Sequence, residues 1–192
     1  MNTQKEQPGK NFRRRSAMGH LQALVVCAFL VALSIVMGKY LQIPVGQVLR
    51  FSFENFPIIL AGIIFGPITG AAVGACADLI GCVLVGYAIN PILTVGACAI
   101  GFLGGLAGRV SIRLSAPLWL SVLAAELSAH TVGSVLIKSI GLSAFYSFPL
   151  WELMLWRLLN YTIVGVAEFA LLFYLLRNRT IASYIRKFGG KI

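Results

Sequence analysis

Glu126 and His130 stand four residues apart in a stretch, Leu118 to Ile137, that holds no other charged residue. On a helix this spacing puts both side chains on one face. A carboxylate beside an imidazole can hold a ligand, relay a proton or form a structural pair. Arg157 and Asn160 share a face of a later apolar stretch and can oppose the first pair across a cavity. Two readings stand: a ligand site, or a buried Glu–Arg pair that ties two helices. Asp78 has no local partner in its own apolar run. Glu168 falls toward the far end of the stretch that carries Arg157, where a surface role fits it.

The segments between the apolar runs add further candidates. Tyr40–Ser52 holds Pro44, Gly46 and Arg50. Gly86–Pro91 places Asn90 as a helix N-cap with Pro91 in the first helical position. Phe145, Tyr146, Phe148 and Trp151 cluster around Pro149. Such aromatics form an interfacial belt, or stack on a flat heteroaromatic ligand whose carboxylate Arg50 or Arg157 holds bidentately.

Other chemistry is missing. Gly9-Lys10, Gly38-Lys39 and Gly190-Lys191 all lack the Ser/Thr that a nucleotide-binding P-loop requires. There is no H-E-x-x-H, no G-x-S-x-G and no carboxylate pair clustered in sequence for metal-assisted transfer. The expectation is a non-enzyme with no cofactor and no metal. Cys27, Cys76, Cys82 and Cys98 lie in apolar stretches without C-x-x-C spacing and read as packing residues.

The elements that must position these residues are membrane helices. Of 192 residues, 58% are hydrophobic and 11% charged, and mean hydropathy is +0.86. A soluble globule of this size cannot bury so large an apolar fraction. Six spans are expected, at 20–39, 53–65, 68–85, 91–108, 116–139 and 152–176. They define an all-α integral membrane bundle at 20–176 between basic tails at 1–19 and 177–192. The first span reads as a retained helix, since no small-x-small cleavage site follows it.

The net charge of +10 follows the same layout. Twelve of the sixteen Lys and Arg residues fall on one side of a six-span chain, in the two tails and at Arg109 and Arg113. Lys39, Arg50 and Lys138 fall on the other side. The positive-inside rule then places both termini in the cytoplasm, and nucleic-acid binding is not expected. Gly62, Gly66, Gly70 and Gly74 recur every four residues, as do Gly101/Gly105 and Gly104/Gly108. Small residues at that spacing let helix backbones approach closely. No long internal repeat of the inverted-transporter kind is present.

The run Leu49-Arg50-Phe51-Ser52-Phe53-Glu54-Asn55-Phe56-Pro57, continuing through Gly66-Pro67 to Ala77-Asp78-Leu79-Ile80-Gly81, carries a family resemblance. So do His130 with Gly133–Lys138, and Trp156–Tyr161 with Glu168 after it. Over about residues 20–180 the chain resembles the substrate-binding (S) components of energy-coupling factor (ECF) transporters, the folate family most of all.

The resemblance implies a six-helix protein of the bacterial cell membrane that captures a vitamin from outside. It implies partners: a transmembrane coupling subunit and two cytoplasmic ATPases, within an ABC-type transporter. In these families an A-x-x-x-A motif on the first helix meets the coupling subunit, and Ala28-Phe29-Leu30-Val31-Ala32 matches it. The whole S component is thought to topple to deliver its ligand. The expected ligand contacts are Arg50, Asn90, Glu126, His130, Tyr146, Trp151, Arg157 and Asn160. Folate is the leading ligand, with another vitamin such as a thiamine pyrimidine precursor as the alternative. A stand-alone proton-coupled transporter, working through Asp78, Glu126 or His130, also stays open.

Overall fold

A computed structural model of the chain describes residues 8–45, 49–179 and 181. Lys5, Arg186, Lys187 and Lys191, assigned above to the tails, lie outside the described residues. Among the described residues the protein is helical apart from one small hairpin.

The first helix, α1 (Pro8–Ile35), begins eleven residues before Gly19 and runs on through a π turn, Val36–Tyr40. The segment expected as a basic tail, residues 1–19, is thus helical from Pro8, a residue well suited to a first turn. Strands β1 (Ile43–Val45) and β2 (Leu49–Phe51) follow, antiparallel, with Pro44 opposite Arg50.

Helix α2 (Asn55–Phe65) has eleven residues, of which nine are buried. At 1.5 Å per residue it is about 17 Å long, roughly half of a ~30 Å hydrocarbon core. A short helix that is apolar all round belongs in the middle of a protein, and α2 packs against α1, α3 and α4. Its end is set by Gly66, whose φ of +99° is costly for any residue with a β-carbon. Pro67 then opens α3 (Pro67–Val85).

Three long elements complete the bundle. Helix α4 spans Pro91–Arg113. Helix α5 (Leu118–Ser128) passes into a π-helical stretch, Ala129–Ile137, and then α6 (Lys138–Tyr146). These form one 29-residue helix, Leu118–Tyr146. It extends well past the expected end at residue 139, so Lys138, counted above among the charges of the far side, lies well inside a helix. Helix α7 covers Leu150–Arg177. Five described helices are long and apolar enough to cross a membrane, and α2 is the short sixth.

The glycines gather in one seam where α2, α3 and α4 meet. A β-carbon on Gly62 would fall on the Gly101 carbonyl and 2.8 Å from Gly105 N. One on Gly101 would fall on the Gly70 carbonyl, and one on Gly74 on that of Ala97. This is the close backbone approach expected from the four-residue spacing. Arg109 Nη2 donates to the Phe65 carbonyl at 3.4 Å, so the end of α2 reaches the level of the basic end of α4. The outer faces carry exposed apolar residues, among them Leu24, Phe29, Ile163 and Val166. The four cysteines are free.

Candidate functional site

Two polar centres lie along the inner face of the helix Leu118–Tyr146, one around Lys138 and the other around His130. The first is at the hairpin end of the bundle. Lys138 Nζ is 2.8 Å from Glu54 Oε1, and Lys138 itself is 7% exposed. Glu54 is fixed by its position just before α2, where its carbonyl accepts a hydrogen bond from Ser34 Oγ at 2.7 Å. Asp78 Oδ2 accepts from Thr94 Oγ1 at 2.7 Å. Lys39 Nζ stands 5.5 Å from the centre of the Tyr87 ring, within the range of a cation–π contact.

These charges border a recess of about 270 Å³, its mouth included, with Ile58, Ala77 and Ala97 among its apolar walls. Glycines clear the space for the long side chains. A β-carbon would come within 2.7 Å of Glu54 Oε2 at Gly38, 2.7 Å of Lys138 Cγ at Gly96, and 3.1 Å of Lys39 Cε at Gly81. Two lysines and two carboxylates around one recess can bind a ligand that carries both a carboxylate and hydrogen-bonding ring edges.

The second centre is deeper. His130 Nε2 is 2.9 Å from Glu126 Oε2 and 2.8 Å from Glu168 Oε2. All three residues are buried, Glu168 completely. Glu168 Oε1 accepts the Phe56 backbone N–H at 3.2 Å. The other ring nitrogen, His130 Nδ1, is 3.4 Å from Ser134 Oγ, which also accepts from Asn55 Nδ2 at 3.3 Å. Tyr161 stacks on the imidazole, ring centres 4.8 Å apart. His130 and Ser134 both lie in the π-helical stretch. Such stretches are rare and recur at functional sites.

Glu126 and His130 meet as their spacing predicts. Arg157 does not complete a Glu–Arg pair: its Nη1 donates to the Ser134 carbonyl at 2.8 Å. Glu168, expected near the surface, is instead the third member of the buried cluster. Asp78, expected without a partner, is bonded to Thr94 and borders the recess. Asn90 caps α4 as read, its Oδ1 accepting from Ile92 N at 3.0 Å while its Nδ2 donates to the Gly141 carbonyl.

Tyr146 and Trp151 are exposed, Trp151 by 76%, and neither borders the recess. Asn160 is buried on α7. Arg50 sits in β2, and its side chain lies outside the described residues. Ala28 and Ala32 are both exposed on α1. Glu54, Lys39 and Lys138 were not among the expected site residues. The usable signal was their isolation as charged groups at the margins of apolar runs.

Comparison with known proteins agrees with this architecture. Residues 19–180 match the family model described as ECF-type riboflavin transporter, S component. The uncharacterized protein MG313 homolog of Mycoplasma pneumoniae is 36% identical over 101 residues, 52% of this chain and 35% of that protein. The folate transporter FolT of Clostridium novyi is 31% identical over 64 residues, 33% of this chain and 37% of that protein. The matches therefore span only about a third of either curated relative.

Two solved structures share the fold. FolT bound with folic acid superposes with a TM-score of 0.64 at 23% identity, over 80% of this chain and 92% of that one. The S component for biotin of an ECF-type ABC transporter gives 0.65 at 18% identity, over 87% and 97%. With a single family model covering nearly all of the helical bundle, the chain belongs to the S components of ECF-type transporters, in the riboflavin transporter S-component family.

Proposed function

We propose that this chain captures a vitamin at the outer face of a bacterial cell membrane and holds it in the recess bordered by Lys39, Glu54, Asp78 and Lys138. The observation that carries this reading is the recess itself: four ionisable groups around one space at the hairpin end of the bundle. Such groups are costly in a membrane and mark ligand or ion paths. Folate is the leading ligand, since its carboxylates suit the lysines and its ring edges suit Glu54 and Asp78. Arg157 and Arg50 are the further carboxylate-holding residues. Asn90, whose amide oxygen and nitrogen are both engaged in the fold, acts as a cap.

In this reading delivery inward uses partners, a transmembrane coupling subunit and two ATPases, as membership among the ECF S components implies; the sequence itself carries no P-loop. The exposed Ala28 and Ala32 give the coupling subunit a smooth strip on α1. Both termini lie in the cytoplasm in this arrangement. The contact between Arg109 and the end of α2 supports it, since it brings that end to the level of the basic residues of α4.

A smaller vitamin, such as a pyrimidine precursor of thiamine, is the second reading. It is favoured by the close walls of the recess, where Ser34, Ile58, Ala77 and Lys138 all border the same space. Calorimetric titration of the detergent-solubilised chain with folate, riboflavin, biotin and the pyrimidine decides between them. Tight binding of one, lost in Glu54→Gln, is the expected result. No binding of any by a folded sample would overturn the proposal. Trp at both Ala28 and Ala32 should leave that titration unchanged and abolish co-purification with the coupling subunit.

A further inference from the structure

The cluster of Glu126, His130 and Glu168 is not absorbed by the recess. Its three donor atoms, two carboxylate oxygens and one imidazole nitrogen, lie within 4.8 Å of one another and come from two helices. His130 Nε2 faces an oxygen of each carboxylate at hydrogen-bond distance. That nitrogen carries at most one hydrogen, so it cannot serve both fully. Glu126 Oε1 is buried and has no hydrogen-bond partner.

Charge sharpens the problem. With a neutral imidazole the cluster carries two negative charges in a membrane interior, where each uncompensated charge is costly. Two protons or one divalent cation restore neutrality. Glu126 Oε1 finds no hydrogen-bond partner in the fold as it stands. A cation among the three donors serves all of them at once. From these observations we infer that Glu126, His130 and Glu168 bind a divalent transition-metal cation.

The surroundings fit a held site. Imidazole and carboxylates are ordinary ligands of Zn²⁺, and three protein ligands leave one position open. The atoms of His130 and Glu168 that face away from the cluster are themselves engaged. Nδ1 meets Ser134 Oγ and Oε1 takes the Phe56 N–H, so both ligands are oriented from behind. Gly165 of α7 leaves room beside the cluster: a β-carbon there would be 4.0 Å from both Glu126 Oε2 and His130 Cδ2. This cation site is separate from the vitamin recess and does not depend on which ligand the recess takes.

The test uses the full chain in detergent, stripped with a chelator and then titrated with Zn²⁺ alone. One equivalent should bind. Glu126→Gln should weaken it by at least about tenfold, on the scale of lost metal-site contacts. Glu152→Gln, an exposed carboxylate at the start of the same α7, should leave binding unchanged. Loading the unsubstituted chain with Co²⁺ gives a readout that needs no variant: the strong visible bands of a four-coordinate N/O site. Absence of both Zn²⁺ uptake and these bands in a folded sample would overturn the proposal and leave a cluster neutralised by protons. Uptake undiminished by Glu126→Gln would overturn it too, by placing the ion elsewhere.

Discussion

Lys138 and Glu54 are each other's counter-charge across 84 residues of sequence. Removing one partner leaves the other in a site poorly supplied with water. Lys138→Met should therefore lower stability by about 3 kcal/mol, the lower end for a broken buried pair, because a quarter of the Glu54 side chain reaches solvent. Thermal unfolding of the detergent-solubilised protein measures the loss. Adding Glu54→Gln to Lys138→Met should recover most of the stability without restoring vitamin binding. Recovery of both would remove the pair from the binding site. At this scale the sequence was half legible. Glu126 and His130 could be matched because one helical turn separates them. Glu54, Lys138 and Glu168 could not, because their partners lie on other helices and depend on packing.

Elements explain why those partners were misplaced. The π-helical stretch Ala129–Ile137 changes the phase of its helix, and the helix continues to Tyr146. A reading at regular α-helical pitch that stops at residue 139 leaves Lys138 at the end of its span, among the charges of the far side. The glycine seam was legible for the opposite reason, since a four-residue repeat of small side chains is local. It yields a sharp expectation at Gly101, where a single methyl group would meet the Gly70 carbonyl. Gly101→Ala should destabilise the bundle by at least about 1–3 kcal/mol, the usual cost of overpacking. Folded yield and melting temperature test this. Gly86→Ala is the comparison for a glycine with open space around it, where only the left-handed φ of +74° resists the change. An unchanged melting temperature for Gly101→Ala would mean that α2, α3 and α4 are not in backbone contact.

For the whole molecule, apolar runs and charge placement disclosed the membrane bundle, while the short α2 left the number of crossings open. Eleven residues do not reach across the hydrocarbon core unaided. Six passages put Ser115, between α4 and α5, on the side of the termini and Ser147, between α6 and α7, on the other. In a background without the four native cysteines, an impermeant maleimide should label Ser147→Cys on intact cells. It should label Ser115→Cys only after the membrane is opened. Equal labelling of both on intact cells, or the reverse order, would show that α2 turns back without crossing.

The seam at Gly62, Gly70 and Gly101 has a mechanical consequence. Side chains can change rotamer to absorb a displacement, but backbone pressed on backbone has no such slack. Helices α2, α3 and α4 therefore form a stiff spine, and α2 cannot slide or roll within it. Whatever moves this chain within the membrane must therefore carry the three helices together, as a single rigid load.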